Sequence, residues 1–251
     1  MKIFLLNLER ALQRREIMLQ RLAVLGLEAE LLSAVDGRML APTDLPAGTE
    51  RALSPGEIGA YLTHVNCWET IIQRDLPHAI ILEDDVIISP DLMDVVEKLT
   101  TLAMPFDAVR LSALFPIRGI TVASLSGDSR LVLTTKPPGG SQAYLVSLSG
   151  ARKMLSKLAV PKQPIDVAYD RYWMYGLCMP VLSPPVAEED KSQESTIVNR
   201  IRDTYRETFM RRMMHFFEKR VRKISAFFMA RRLRKYGLYR TSSERWRKET
   251  T

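Results

Sequence analysis

The sequence predicts an α/β fold with a mostly parallel sheet, followed by a basic amphipathic helical tail. Three observations predict it. The chain opens on a strand, helix, strand pattern; a buried apolar run near residue 80 ends in Glu83, Asp84 and Asp85; and positive charge is concentrated after residue 199. Alternating strands and helices bury their apolar faces as parallel βαβ units.

Residues 2–8 form a strand-length run whose apolar part is Ile3 to Leu6. Leu12, Leu19 and Leu22 then recur roughly at helical spacing, and Gly26 marks the expected end of that helix. Residues 27–32 read as a second strand and residues 34–37 as a turn. Residues 38–53 lack periodicity, as a functional surface loop does. Ser54, Pro55 and Glu57 then supply an N-cap, a first-turn proline and the partner of a capping box. The helix they start carries Ile58, Leu62, Val65 and Ile72, with Trp68 nearby.

Behind it, Ala79, Ile80, Ile81 and Leu82 read as a buried strand running into the three acids. A further helix is expected to about residue 102, a strand near residues 107–114, a hairpin around Gly127 and Asp128, a strand at 143–147 and a helix at 149–158. Residues 161–185 read as proline-rich and irregular, with one short strand near residue 180.

Adjacent carboxylates at a strand end repel one another unless a cation compensates. Alternation along an extended strand predicts that Glu83 and Asp85 face one way and Asp84 the other. Two like-facing carboxylates are hard ligands suited to Mn²⁺ or Mg²⁺, metals that also hold phosphates. Ligands in open α/β sheets gather beyond the carboxyl ends of the strands, where this cluster falls. Phosphoacceptor receiver domains also carry an acidic pair after an apolar strand, but they carry it on their first strand, and here about 80 residues precede it.

Several segments, in order over about residues 1–198, resemble glycosyltransferase family 25, the bacterial lipooligosaccharide galactosyltransferases and their relatives. They are Leu6, Asn7 and Leu8 with Arg10, Arg14 and Arg15; Ala34 to Gly37; Ser54 to Gly59 with Thr63, His64 and Trp68; Ile80 to Val86; Ala143 to Ser147; Pro164 to Asp166; and Gln193 with Ser195, Thr196 and Ile197. The family usually has Ser where Thr63 stands and often Cys where Ala60 stands.

The resemblance implies a GT-A-like nucleotide-binding domain over residues 1–199. It implies transfer of a sugar, often galactose from UDP-galactose, to a lipid-linked saccharide acceptor, with inversion. Glu83 and Asp85 then look like metal ligands in a D-x-D-like segment. Asn7, Arg10, Arg15, Asp36, Gly37, Glu57 and Asp84 are the candidate nucleotide-sugar contacts. Asp166 is the preferred base for the acceptor hydroxyl, with His64 and Asp170 as alternatives. Gln142 and Tyr144 either border the acceptor cleft or finish a loop, and Glu188, Glu189 and Asp190 follow the last body strand as a solvated acidic loop or a further metal ligand.

The net charge of +7 conceals two halves. Residues 200–251 hold 17 Lys/Arg and 5 Asp/Glu, a balance of +12, which leaves −5 for the body. Within the tail, Ile201, Tyr205, Phe209, Met213, Phe216 and Ile224 recur at helical steps among arginines and lysines. That pattern suits the headgroup region of an anionic membrane. No helix-turn-helix, RNP, KH or zinc pattern accompanies the charge, so no nucleic-acid partner is expected.

Cys67 and Cys178 cannot build a disulfide framework. The expected location is cytoplasmic, peripheral on the inner face of the bacterial inner membrane. The alternative function is a non-catalytic membrane- or polyanion-binding protein acting through the tail.

Overall fold

The computed structural model describes residues 1–125, 127–192, 209–233 and 236. The predicted motif at Gln193, Ser195, Thr196 and Ile197 lies outside the described residues, as do Ile201 and Tyr205 of the tail.

Strand β1 (Lys2–Asn7) is followed by helix α1 (Leu12–Val24) and strand β2 (Glu30–Ser33). β2 begins later than its apolar pattern predicts. Gly26 takes a positive φ of 66°, its N–H reaches Ala23 O, and the Leu27 N–H reaches Leu22 O. This closes α1 with a Schellman-type cap, so residue 27 is committed to the helix end. Helix α2 (Pro55–Gln73) starts on the predicted capping box, in which Ser54 Oγ accepts from Glu57 N and the Glu57 carboxylate accepts from Ser54 N.

Strand β3 (His78–Glu83) follows, and Ala79 to Leu82 are fully buried. Each large aliphatic side chain so buried contributes about 1.5–3 kcal/mol. The strand ends at Glu83. Asp84 and Asp85 form a turn into β4 (Val86–Ile88), so alternation stops one residue before it could align Glu83 with Asp85.

Helix α3 (Leu92–Thr100) precedes β5 (Ala108–Arg110), the hairpin β6 (Gly119–Ser124) and β7 (Arg130–Thr134), then β8 (Ala143–Ser147) and α4 (Leu148–Leu158). Sequence pattern missed α5 (Ile165–Asp170), whose six residues are too few to show a helical period. Strands β9 (Val181–Ser183) and β10 (Ala187–Glu189) and helix α6 (Phe209–Leu233) complete the described chain.

Eight strands form one sheet in the order β2-β1-β3-β8-β5-β9-β7-β6. The pairings of β1 with β2 and β3, and of β5 with β9, are parallel, and only β7 and β8 run against the others. The predominantly parallel sheet expected from the opening βαβ unit is thus present, with β8 inserted in reverse at its centre. β4 and β10 form a separate antiparallel pair in which Glu189 lies opposite Val86. That pairing brings the acidic end of β10 to the Asp84–Asp85 turn, where Asp190 N donates to Asp85 O at 2.7 Å.

Two glycines fix how the loop after β2 meets α2. A Cβ on Gly37 would stand 1.8 Å from Pro55 O, and one on Gly59 2.4 Å from Val35 O. Gly59→Ala should therefore destabilise the protein. Alanine gains about 1 kcal/mol of helix propensity, but the backbone clash costs about 1–3 kcal/mol and takes the loop with it. Urea denaturation should show the net loss, and a variant at least as stable as the parent would contradict this packing.

Candidate functional site

The carboxyl ends of β1, β2 and β3 open onto one cleft of about 220 Å³. It is lined by Arg10, Arg14, Asp36 and Gly37 after β1 and β2, by Ser141 and Gln142 just before β8, and by Asp166 in the first turn of α5. Glu57, His64, the three acids and Glu189 also line it. The structure thus gathers Arg10, Asp36, Gly37, Glu57, His64, Glu83, Asp84, Asp85 and Asp166 in one place, as the sequence predicts.

Two of the predicted nucleotide-sugar contacts, Asn7 and Arg15, and one alternative base, Asp170, sit elsewhere. Asn7 lies just beneath, buried, with its amide donating to Asp84 Oδ2 at 2.7 Å. Arg15 does not line the cleft. Successive helical residues point about 100° apart, and it is Arg14 that turns inward, with Nη2 2.5 Å from Asp84 and 2.9 Å from Asp85. Asp170 is buried in an ion pair with Arg110 at 2.6 Å, outside the cleft lining, and is withdrawn from substrate.

Asp84 and Asp85 therefore share Arg14, while Glu83 has different company. Ser141 Oγ donates to Glu83 Oε1 at 2.6 Å, and His64 Nε2 lies 3.3 Å from the same oxygen. His64 is buried, with Nδ1 3.0 Å from the Tyr144 hydroxyl, which also stands 3.0 Å from Trp68 Nε1. An indole N–H can only donate. Tyr144 thus accepts from Trp68, and because an ionised carboxylate can only accept, the His64 Nε2–H is the donor directed at Glu83. This donor chain, buried below the cleft, holds one carboxylate in one orientation.

The charges follow from these partners. Burial raises the proton affinity of Glu83, but the hydrogen bonds from His64 and Ser141 and the Arg14 charge outweigh it and leave the carboxyl below its usual range. Burial, followed by repulsion from Glu83, pushes Asp85 up to about 7 despite Arg14. Burial also raises Asp84, opposed by Arg14 and Asn7. Neighbouring acids with affinities driven apart take different roles in a reaction site.

Asp85 Oδ1 is buried and accepts no hydrogen bond among the described residues, and its raised proton affinity marks a carboxylate short of positive charge. It fits a metal that takes one or two carboxylates and fills its remaining positions with phosphate and water. Glu83 fits less well, because its Oε1 is engaged by two donors. Among the described residues no cluster of three or more His, Cys, Asp or Glu is arranged to enclose an ion.

The loop before β8 supplies residues that sequence pattern did not single out. Gly139 and Gly140 both take positive φ, and their carbonyls accept from the Arg110 guanidinium. Arg110 is buried in β5 and so fixes the loop that delivers Ser141 to Glu83. A glycine pair followed by serine was the available signal, but nothing local links it to an arginine 29 residues earlier.

Glu57 Oε2 accepts from Ser54 N and Ser54 Oγ at the helix cap, and the residue also lines the cleft. Tyr144 is buried beneath the cleft, and Asp190 is held by Arg21 and Ser192.

Comparison with known proteins places these features in a family context. Residues 1–173 match the family model described as glycosyltransferase family 25 (LPS biosynthesis protein). A cattle (Bos taurus) protein named probable inactive glycosyltransferase 25 family member 3 is 30% identical over 66% of this chain and 30% of its own. Procollagen galactosyltransferase 1-B of Xenopus laevis is 29% identical over 68% of this chain and 31% of its own. The chain thus spans about a third of the length of these relatives. Among solved structures, the galactosyltransferase LgtC with donor and acceptor sugar analogs aligns with 75% of this chain and 86% of its own at a TM-score of 0.39 and 11% identity.

Proposed function

The chain belongs to glycosyltransferase family 25, and from that premise we propose that it transfers a sugar, galactose from UDP-galactose, to a saccharide acceptor of a lipopolysaccharide or lipooligosaccharide, with inversion. The observation that carries this reading is Arg14. It brings a half-buried cation to the acidic turn at the carboxyl ends of parallel strands, in a cleft that Asp166 also lines.

Breaking a sugar–diphosphate bond builds negative charge on the leaving group, and fixed cations already in place stabilise that charge as it develops. Arg14 and Arg10 serve here, with Asp36 and Gly37 beside the ribose. Asp85, with Asp84 and Glu83 adjacent, would hold a Mn²⁺ or Mg²⁺, which would supply further neutralisation without a proton. Glu83, ionised and held by Ser141 and His64, receives sugar hydroxyls.

Inversion requires the acceptor hydroxyl to attack from the face opposite the diphosphate while a base removes its proton. Asp166 is assigned that role. It is partly exposed in the cleft wall, in the first turn of α5, with Oδ1 accepting from Val167 N at 2.8 Å. His64, the alternative, has both ring nitrogens engaged and serves to orient Glu83.

Thermal shift measurements with UDP, with and without Mn²⁺, test the donor side of this reading. Stabilisation by UDP is expected, amounting to about 2.7 kcal/mol when the ligand is at 100 times its Kd, and Mn²⁺ should increase it. Hydrolysis of a panel of nucleotide sugars then reads turnover. No response to any uridine nucleotide would overturn the reading; binding without hydrolysis or transfer would place this chain with the relatives named inactive.

A further inference from the structure

Helix α6 is apolar on two opposite sides, and among the described residues the body covers only one. Arg222, Ala226, Ala230 and Leu233 are buried, and the helix lies against β6, β7 and the turn at Tyr172–Tyr175. Glu218 anchors it, accepting from Arg171 Nε at 2.9 Å and from Arg222 at 3.0 Å.

Phe217, Val221, Ile224 and Phe228 follow one another at steps of four, three and four residues, which at 3.6 residues per turn sets them on the side away from Ala226 and Ala230. Together with Phe227 they are 44–64% exposed. Arg220, Arg231 and Arg232 are exposed beside them, and the single acid of α6, Glu218, is turned inward to Arg171.

We propose that this outward face of α6 is a docking surface for an anionic lipid bilayer, lying parallel to it with Ile224, Phe227 and Phe228 entering the headgroup boundary. Large apolar side chains flanked by arginines, with no acid on that side, complement a surface that is apolar below and diffusely negative above. No described helix is long and apolar enough to cross a membrane. Because α6 is clamped to the sheet through its other side, the bilayer meets the body at a fixed orientation. The proposal rests on α6 alone and stands or falls apart from the transferase reading.

The test uses the full chain and point substitutions, because removing α6 would uncover β6 and β7. Sedimentation with vesicles of phosphatidylcholine alone, and of phosphatidylcholine with phosphatidylglycerol, should show binding only to the anionic vesicles, reversed by salt. Ile224→Ser with Phe228→Ser should weaken that binding by at least about tenfold, and so should Arg231→Gln with Arg232→Gln. All four positions are exposed, so melting curves should match those of the parent.

Failure of the parent to bind anionic vesicles would overturn the proposal, as would unchanged binding by both double variants. So would a dimer in analytical ultracentrifugation that Ile224→Ser with Phe228→Ser dissociates, which makes a second copy the occupant. UDP-sugar hydrolysis by the same samples reports on the transferase reading separately.

Discussion

Asp85→Asn is expected to abolish sugar transfer, lowering turnover by at least about 10²-fold, while leaving the protein as stable as the parent or more so at pH 8. The two halves of this result have one cause. Burial and the adjacent Glu83 raise the Asp85 carboxyl to about 7, against about 3.9 for an unperturbed Asp. A carboxyl raised in the folded state makes the native protein hold its proton more tightly than the unfolded chain does. Stability therefore falls as pH rises from about 4 to about 7, and the full cost remains above that window.

Asparagine keeps the shape and removes the charge. The melting temperature of Asp85→Asn should thus exceed that of the parent most clearly above pH 7, and the difference should shrink as pH falls toward 4. Undiminished transfer would refute the assignment of Asp85 to the reaction. A difference in melting temperature independent of pH would refute the strained carboxylate.

Arg110→Met is expected to cost about 3–5 kcal/mol in urea denaturation, the range for removing one partner of a buried ion pair. The substitution leaves Asp170 charged and buried, and releases the carbonyls of Gly139 and Gly140. Combining it with Asp170→Leu should restore much of the stability, because a buried pair replaced by apolar groups of similar volume is close to neutral. Transfer should stay low in the double variant, since no donor then fixes the loop that presents Ser141 to Glu83. If the double variant recovers full activity along with stability, Arg110 has no positioning role.

The elements most legible in sequence are those whose signals are local. The Ser54–Glu57 capping box, the Gly26 helix end and the Ala79–Leu82 run each declare themselves within a few residues, and each is present. The cleft was legible as a set of strand ends for the same reason. Partners were not. Arg14 rather than Arg15 turns inward because of the helix phase, which a run of two arginines does not disclose. Alternation failed at Asp85 because the strand turns after Glu83 to let Val86 pair with Glu189, a contact spanning about 100 residues. Arg110, Ser141 and the Trp68–Tyr144–His64 chain depend on pairings with β8 that no local pattern carries.

The reversed insertion of β8 between β3 and β5 also gives the site an order of assembly in time. β1, α1 and β2 pair within the first 33 residues and β3 joins β1 along one edge, whereas the other edge of β3 must wait for a strand that begins 60 residues after its own end. Closing a loop of that length exacts its chain entropy before the contacts that reward it exist. Ser141, Gln142 and Tyr144 arrive only with that closure, so Glu83 receives its orienting hydrogen bonds late. A nascent or partly folded chain thus displays the arginines after β1 before the part of the cleft lined by Ser141 and Gln142 has formed.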